Sequence, residues 1–307
     1  METTATGETG YVHGYTDREA RRLGEQADAL AELLHGGTRY PAGSRVLEVG
    51  CGVGAQTLHL VDGSPGAELT CVDVSAESLA RARARVTAAR PGARVTFVRA
   101  DLRDLPFADA EFDHLFVCFV LEHLPDPVAA LAGLRRVLRP GGTLTVIEGD
   151  HGSAFFHPDS AAARTLIGHL VALQAAKGGD ALIGRRLHPL LNDAGYGRVH
   201  VGPRTVYVDA SRPALVQGFI HDTFTAMVGS VHDDALAAGL ATPQEWRDGI
   251  DGLRRTAEPG GTFHYTFFKG TAVNPPAPAG PDEAGGAGGA GGAAGQAPRT
   301  SGSTSRA

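Results

Sequence analysis

The chain has 307 residues, a net charge of −6 and 42% apolar residues. No basic stripe marks a nucleic-acid surface, and none of the apolar runs reaches membrane-spanning length. Cys51, Cys71 and Cys118 form no C-x-x-C pair, and residues 1–30 lack the apolar core of a signal peptide. The expectation is therefore a protein of the reducing cytoplasm, without disulfides, nucleic acid or membrane as partners.

Residues 1–39 are expected to form an N-terminal lid and helix, with helical apolar spacing over 17–34 that stops at Gly36-Gly37. Val46, Leu47 and Val49 predict a buried first strand that enters the glycines 50, 52 and 54, and Ala55–Leu60 reads as the helix behind them. Glu68–Val74 is a second strand, Ser75 caps a helix over Ala76–Arg90, and Arg94–Arg99 is a third strand. The apolar run Phe112–Val120 is a fourth strand, followed by a helix over Pro125–Leu138. Pro140-Gly141-Gly142 turns into a fifth strand, Thr143–Glu148. Leu187–Gly195 is a helix, Arg198–Val208 a sixth strand and Thr262–Lys269 a seventh. This alternation predicts an α/β fold with a doubly wound sheet over residues 40–271. Two helical insertions, about 153–180 and 211–258, exceed the minimal pattern and read either as a substrate lid or as padding and a dimer surface. Residues 272–307, rich in Ala, Gly and Pro, are expected to be a disordered tail.

The turn Gly50-x-Gly52-x-x-Ala55 fits the dinucleotide fingerprint, and Asp73 at the end of the second strand suits ribose hydroxyls. Both features serve NAD as well as any other adenosine ligand. What separates the cofactors is order: E-V-G-C-G-V-G, Asp73, Asp101, Leu121-Glu-His-Leu124, then Leu138-Arg-Pro-Gly-Gly142. Over roughly residues 40–150 this succession resembles the class I S-adenosylmethionine-dependent methyltransferases, most of all the ubiquinone/menaquinone-biosynthesis type and its small-molecule relatives.

The resemblance implies a Rossmann-like, seven-stranded sheet with an antiparallel last strand, and S-adenosylmethionine as cofactor. It implies that Glu48 orients the loop, that Asp73 and Val74 meet the ribose side, and that Asp101 and Leu102 receive the adenine. Cys118, Phe119 and His123 would flank the cofactor, and Tyr15 in the N-terminal segment would close over the sulfonium. Gln56 and Thr57, at a helix N-terminus, are placed to donate to the cofactor carboxylate.

The sulfonium is an activated methyl donor, so the protein needs only alignment, exclusion of water and a proton acceptor. Among the candidate bases Glu148, Asp150 and His151 at the end of the fifth strand, His151 is preferred and His123 is the alternative, while His151 reads equally as a structural hydrogen-bond partner of Asp150. Glu148, Asp150, His151 and His157 also suggest a metal, but they lack the oxygen-rich pattern of a magnesium site, so none is expected. Arg185-Arg186 suits an acidic acceptor group or a solvated helix face. Tyr207, Phe219, Phe224, Trp246, Tyr265 and Phe268 are candidates for an apolar acceptor pocket or for core. The function expected is methyl transfer to a small metabolite or natural product. A protein or peptide acceptor, and a cofactor-binding scaffold without activity, stay open, as does a homodimer.

Overall fold

The computed structural model describes residues 30–276. Eight strands make one sheet: β1 (Arg45–Val49), β2 (Glu68–Asp73), β3 (Val95–Arg99), β4 (Phe112–Cys118), β5 (Leu138–Gly149), β6 (Phe155–His157), β7 (Gly197–Asp209) and β8 (Thr262–Val273). Their order is β3-β2-β1-β4-β5-β8-β6, and β7 lies along the other side of β8. The first five strands are parallel, while β8 runs antiparallel to β5, β6 and β7. The expected seven-strand count is short by one, because three residues after β5 re-join β8 beyond the end of β5.

Alternation along the strands builds two cores. Val46, Cys71, Phe116 and Ile147 pack on one face, and Leu47, Val49, Val72, Leu115, Val117 and Val146 on the other. Both faces of a parallel sheet are covered, hence the near-continuous apolar runs. The covering helices are α1 (Ala55–Gly63), α2 (Ala76–Ala89), α3 (Pro127–Val137), α4 (Ala161–Ala176) and α5 (Leu187–Asp193). Ser75 caps α2, Asp126 caps α3 and Ser160 caps α4, each side chain accepting from a backbone N–H three residues on.

The second insertion is less regular than its spacing suggests. Pro213–Leu215 leads into a π-helical stretch, Val216–Thr225, in which the Thr223 hydroxyl donates to Gly218 O at 2.6 Å, five residues back. Then come α6 (Ala226–Ser230), α7 (His232–Ala237) and α8 (Pro243–Arg255), the last opened by a Thr242/Glu245 capping box. Helix α8 packs on α4, joining the two insertions.

The expected tail boundary at 272 is corrected. β8 continues to Val273, and the buried Asn274 amide donates to Leu138 O (2.6 Å) and Arg135 O (3.1 Å). The N-terminal helix is described only over 30–35. Its last turn is held from β8, where Lys269 Nζ donates to Leu34 O, Gly36 O and Thr38 Oγ1.

Candidate cofactor and acceptor site

β1 ends at a turn whose three alternating glycines all adopt positive φ: 71° at Gly50, 52° at Gly52 and 74° at Gly54. A Cβ on Gly50 would lie 2.5 Å from Val120 Cγ2, so that position is glycine by packing as well as by angle. A Cβ on Gly52 would meet nothing within 4 Å, which leaves open space in front of the backbone. The Asp73 carboxylate accepts from Gly52 N and from Ser75 N, both at 2.9 Å, fastening the turn to the end of β2. One N–H on each oxygen leaves lone pairs for further donors. Helix α1 begins behind the turn with Gly54 as N-cap and no side-chain cap, so its first amides keep their donors. An open glycine turn, a carboxylate with spare acceptors and an uncapped helix start fit a nucleoside ligand with adjacent hydroxyls and an anionic group.

Other cofactor residues stand differently from expectation. Glu48 is buried, accepts from Thr57 Oγ1 (2.6 Å) and Cys71 Sγ (3.2 Å), and is pushed up to about 7 by burial. The Thr57 hydroxyl is thereby consumed inside the protein, and Gln56 Oε1 accepts from His35 Nε2 at 2.6 Å. Any donation from Thr57 to a ligand therefore falls to its backbone N–H at the start of α1. His35 in turn stacks on Phe116 at 5.5 Å, and burial lowers it to about 4.

Asp101 is clamped by Arg103, with Nε 2.9 Å from Oδ1 and Nη2 2.5 Å from Oδ2, which holds its carboxyl below the usual range. An adenine amino group would share that carboxylate rather than own it. Val74 is half-buried and its carbonyl accepts from Arg99; Leu102 borders the second core. Cys118 is buried, and Phe119, at φ 57°, turns its ring toward Phe267 with centroids 5.6 Å apart. A phenylalanine held in the left-handed region at a strand end is strained backbone of the kind found at ligand sites. Tyr15 lies outside the described residues.

At the end of β5, the structural reading in which Asp150 pairs with His151 does not hold. Asp150 caps the turn His151–Ser153 through Gly152 N and takes a bidentate pair from Arg185, both contacts 2.7 Å. Arg185 is thus committed, and Arg186 pairs with Asp180 at 2.5 Å, so neither offers a free guanidinium to an acidic acceptor. His151 Nδ1 instead meets the Tyr265 hydroxyl of β8 at 2.7 Å, with both rings buried. His123 Nε2 lies 3.7 Å from Glu122 Oε1. Glu148 accepts from Val120 N (3.0 Å) and Leu121 N (2.8 Å), tying the end of β5 to the turn that carries Glu122 and His123.

Of the expected aromatic pocket, Phe219, Phe224 and Tyr265 come together, with centroid distances of 5.5–6.4 Å, joined by Phe263 and Phe267. Phe224 also meets the His151 ring edge-on at 6.3 Å. Trp246 packs on His232, Phe268 borders the second core, and Tyr207 is exposed, so these three leave the group. His157 lies on β6, away from the His151–Tyr265 pair. Among the described residues no three His, Cys, Asp or Glu side chains could together hold a metal ion.

A Rossmann-like sheet with an antiparallel strand inserted beside β5, and a glycine turn facing a β2 aspartate, defines a nucleoside-binding domain. Residues 47–146 match the family model described as a methyltransferase domain. The 27-O-demethylrifamycin SV methyltransferase of Amycolatopsis mediterranei is 35% identical over 134 residues, covering 44% of this chain and 49% of that protein. The ubiquinone/menaquinone biosynthesis C-methyltransferase UbiE of Paracoccus denitrificans is 34% identical over 151 residues, 45% of this chain and 59% of that one. The chain therefore spans about half the length of these relatives. In fold it is similar to phosphoethanolamine N-methyltransferase 2 of Haemonchus contortus, solved with S-adenosylhomocysteine (TM-score 0.55, 17% identity, 85% of this chain and 58% of that one). Residues 47–146 are thus similar to the methyltransferase domain family, and the described residues share the fold of that solved methyltransferase.

Proposed function

We propose that this protein transfers a methyl group from S-adenosylmethionine to a small metabolite or natural product, by direct in-line displacement. The observation that carries the reading is the meeting of two half-sites at one edge of the sheet. An open glycine turn facing Asp73 stands at the ends of β1 and β2, and a buried His151–Tyr265 pair at the ends of β5 and β8.

Bound S-adenosylmethionine supplies a methyl group activated by its sulfonium. Asp73 would accept from the ribose hydroxyls, the turn would let the cofactor approach the backbone, and the first amides of α1 would hold its carboxylate. His151 holds the acceptor's proton on Nε2, since Nδ1 is engaged by Tyr265, and Tyr265 fixes the ring. Phe219 and Phe224 keep the acceptor side dry, which strengthens each polar contact there. Positioning of this kind is worth on the order of 7–11 kcal/mol at best. We read the protein as cytoplasmic, acting without nucleic acid, and leave a homodimer as a matter for sedimentation.

The decisive measurement is calorimetry with S-adenosylmethionine, S-adenosylhomocysteine and NADH, followed by methyl transfer to a panel of phenols, amines, carboxylates and peptides. Binding of the first two ligands, with transfer to free metabolites, is expected. NADH binding alone, or transfer only to peptides, overturns the reading.

A further inference from the structure

The π-helical stretch Val216–Thr225 carries three side-chain meetings in succession, each spanning five residues. On the exposed side, Gln217 Nε2 donates to both oxygens of Asp222, at 2.9 Å each. One residue on, the buried Thr223 hydroxyl donates to Gly218 O at 2.6 Å. One residue further, the buried rings of Phe219 and Phe224 stand with centroids 6.4 Å apart. The backbone ends the stretch with the same step, the Ala226 N–H donating to His221 O. In an α-helix, at about 3.6 residues per turn, side chains five apart point roughly 140° away from one another, and those three or four apart are neighbours. Winding with an i→i+5 step stacks them instead. The rarer winding is therefore matched by a ladder of side chains: an amide on a carboxylate outside, a hydroxyl on a carbonyl within, and ring against ring in the core.

The winding reaches the acceptor side through Phe224. Phe263, Tyr265 and Phe267 alternate along β8 and so share one face. Phe219 meets all three rings at 5.8–6.1 Å. Phe224 meets Phe263 at 4.8 Å and Tyr265 at 5.5 Å, and presents itself edge-on to His151 at 6.3 Å. An α-helical winding that kept Phe219 on β8 would swing Phe224 off the His151 ring. The hydrogen bond to the Tyr265 hydroxyl fixes one atom of that ring, Nδ1, and the edge contact with Phe224 fixes its tilt.

We propose that Thr223 is a positioning residue: its hydroxyl on Gly218 O holds the π-winding that sets Phe224 against His151, and so aims the His151 ring at the acceptor. The inference rests on the proposed function, in which His151 holds the acceptor's proton, and adds the group that keeps its ring in place.

The test is nuclear magnetic resonance on the full chain with labelled histidine and phenylalanine rings, read as cross-relaxation between the His151 and Phe224 ring protons. The signals are assigned by their absence from His151→Gln and Phe224→Leu. The wild type is expected to show the contact. Thr223→Val, which keeps the side chain's shape without its hydroxyl, is expected to lose it and to shift the His151 ring signals, while calorimetry finds S-adenosylhomocysteine bound as before. Thr223→Ser, which restores the hydroxyl, is expected to restore both. A contact that survives in Thr223→Val overturns the proposal, as does its loss in Thr223→Ser or its absence from the wild type. A parallel loss of S-adenosylhomocysteine binding in Thr223→Val also overturns it, since Thr223 then supports the fold at large. Should Thr223→Val fail to fold, Asp222→Ala breaks the exposed member of the ladder and decides in its place: a weakened contact supports the proposal, and an unchanged one overturns it. Failure of the wild type to bind S-adenosylhomocysteine sinks the proposed function instead, and the ring contacts still report on Thr223.

Discussion

The two half-sites are built over different distances along the chain. Around the glycine turn, partners lie close in sequence: Thr57 and Glu48 are 9 residues apart, and Gly52 and Asp73 are 21 apart. On the acceptor side Asp150 reaches Arg185 across 35 residues, Gln174 reaches Glu122 across 52, and His151 reaches Tyr265 across 114. The first half-site is a local device that one strand–turn–helix unit nearly completes. The second exists only when β8 and the helical insertions are in place, so it can vary without disturbing the first.

That division is broken most sharply by changing one half and reading the other. His151→Ala is expected to lower kcat by roughly 10²–10⁴-fold while S-adenosylhomocysteine binds as before. Tyr265→Phe should cost about tenfold and move the acid limb of the kcat–pH profile, because it removes the partner of Nδ1. If either variant abolishes cofactor binding, the two halves are not separable.

The local half also carries two opposed titrations. Burial holds His35 near 4 against 6.5 in the open chain, so its contribution is complete above pH 6.5 and is lost as pH falls toward 4. Glu48 is raised from 4.5 to about 7, so its contribution is complete below pH 4.5 and is lost as pH rises through 7. Each is worth about 3 kcal/mol at most. Urea melts from pH 4 to 8 should show Glu48→Gln gaining stability on the alkaline side, and His35→Phe losing its acid-side decline. Superimposable curves for wild type and variants would refute both assignments.

Asp73→Ala should weaken S-adenosylmethionine by about 10–100-fold, the loss of charge-assisted hydrogen bonds, and lower the melting temperature because Gly52 N and Ser75 N lose their acceptor, with intact acceptor-side spectra. Unchanged affinity would remove Asp73 from the ribose contact. The smallest effect separates two glycines. Gly52→Ala should cost about 1–2 kcal/mol of stability through its positive φ alone, yet lose cofactor affinity as its methyl fills the open space. Gly50→Ala adds a clash with Val120 and should destabilise more. Equal melting temperatures for the two would mean the turn relaxes freely.

Legibility in the sequence follows the same division. Strand periodicity, the cap residue Ser75 and the glycine turn are local signals, and they sufficed for the parallel sheet and for placing Asp73 at the end of β2 beside the turn. Local reading erred where a side chain had two possible partners. Asp150 adjoins His151 in sequence, yet an arginine 35 residues on matches its two oxygens better than an imidazole can. Tyr265 stood among the aromatic candidates, but its role depends on the register that carries β8 past the end of β5, which no short window encodes. The π-helical stretch is similar, since its apolar spacing is compatible with an ordinary helix.

Lys269 carries a consequence for how the chain is made. The closing turn of the helix at 30–35 is satisfied by an ammonium 231–235 residues further on. During synthesis the first part of the domain emerges with those carbonyls still open to water, and with β5 an unpaired edge, until residue 269 has left the ribosome. The final strand is thus both lock and edge cover, and a truncation that spares every glycine of the turn but stops short of residue 269 should leave a soluble-looking half that never settles its own beginning.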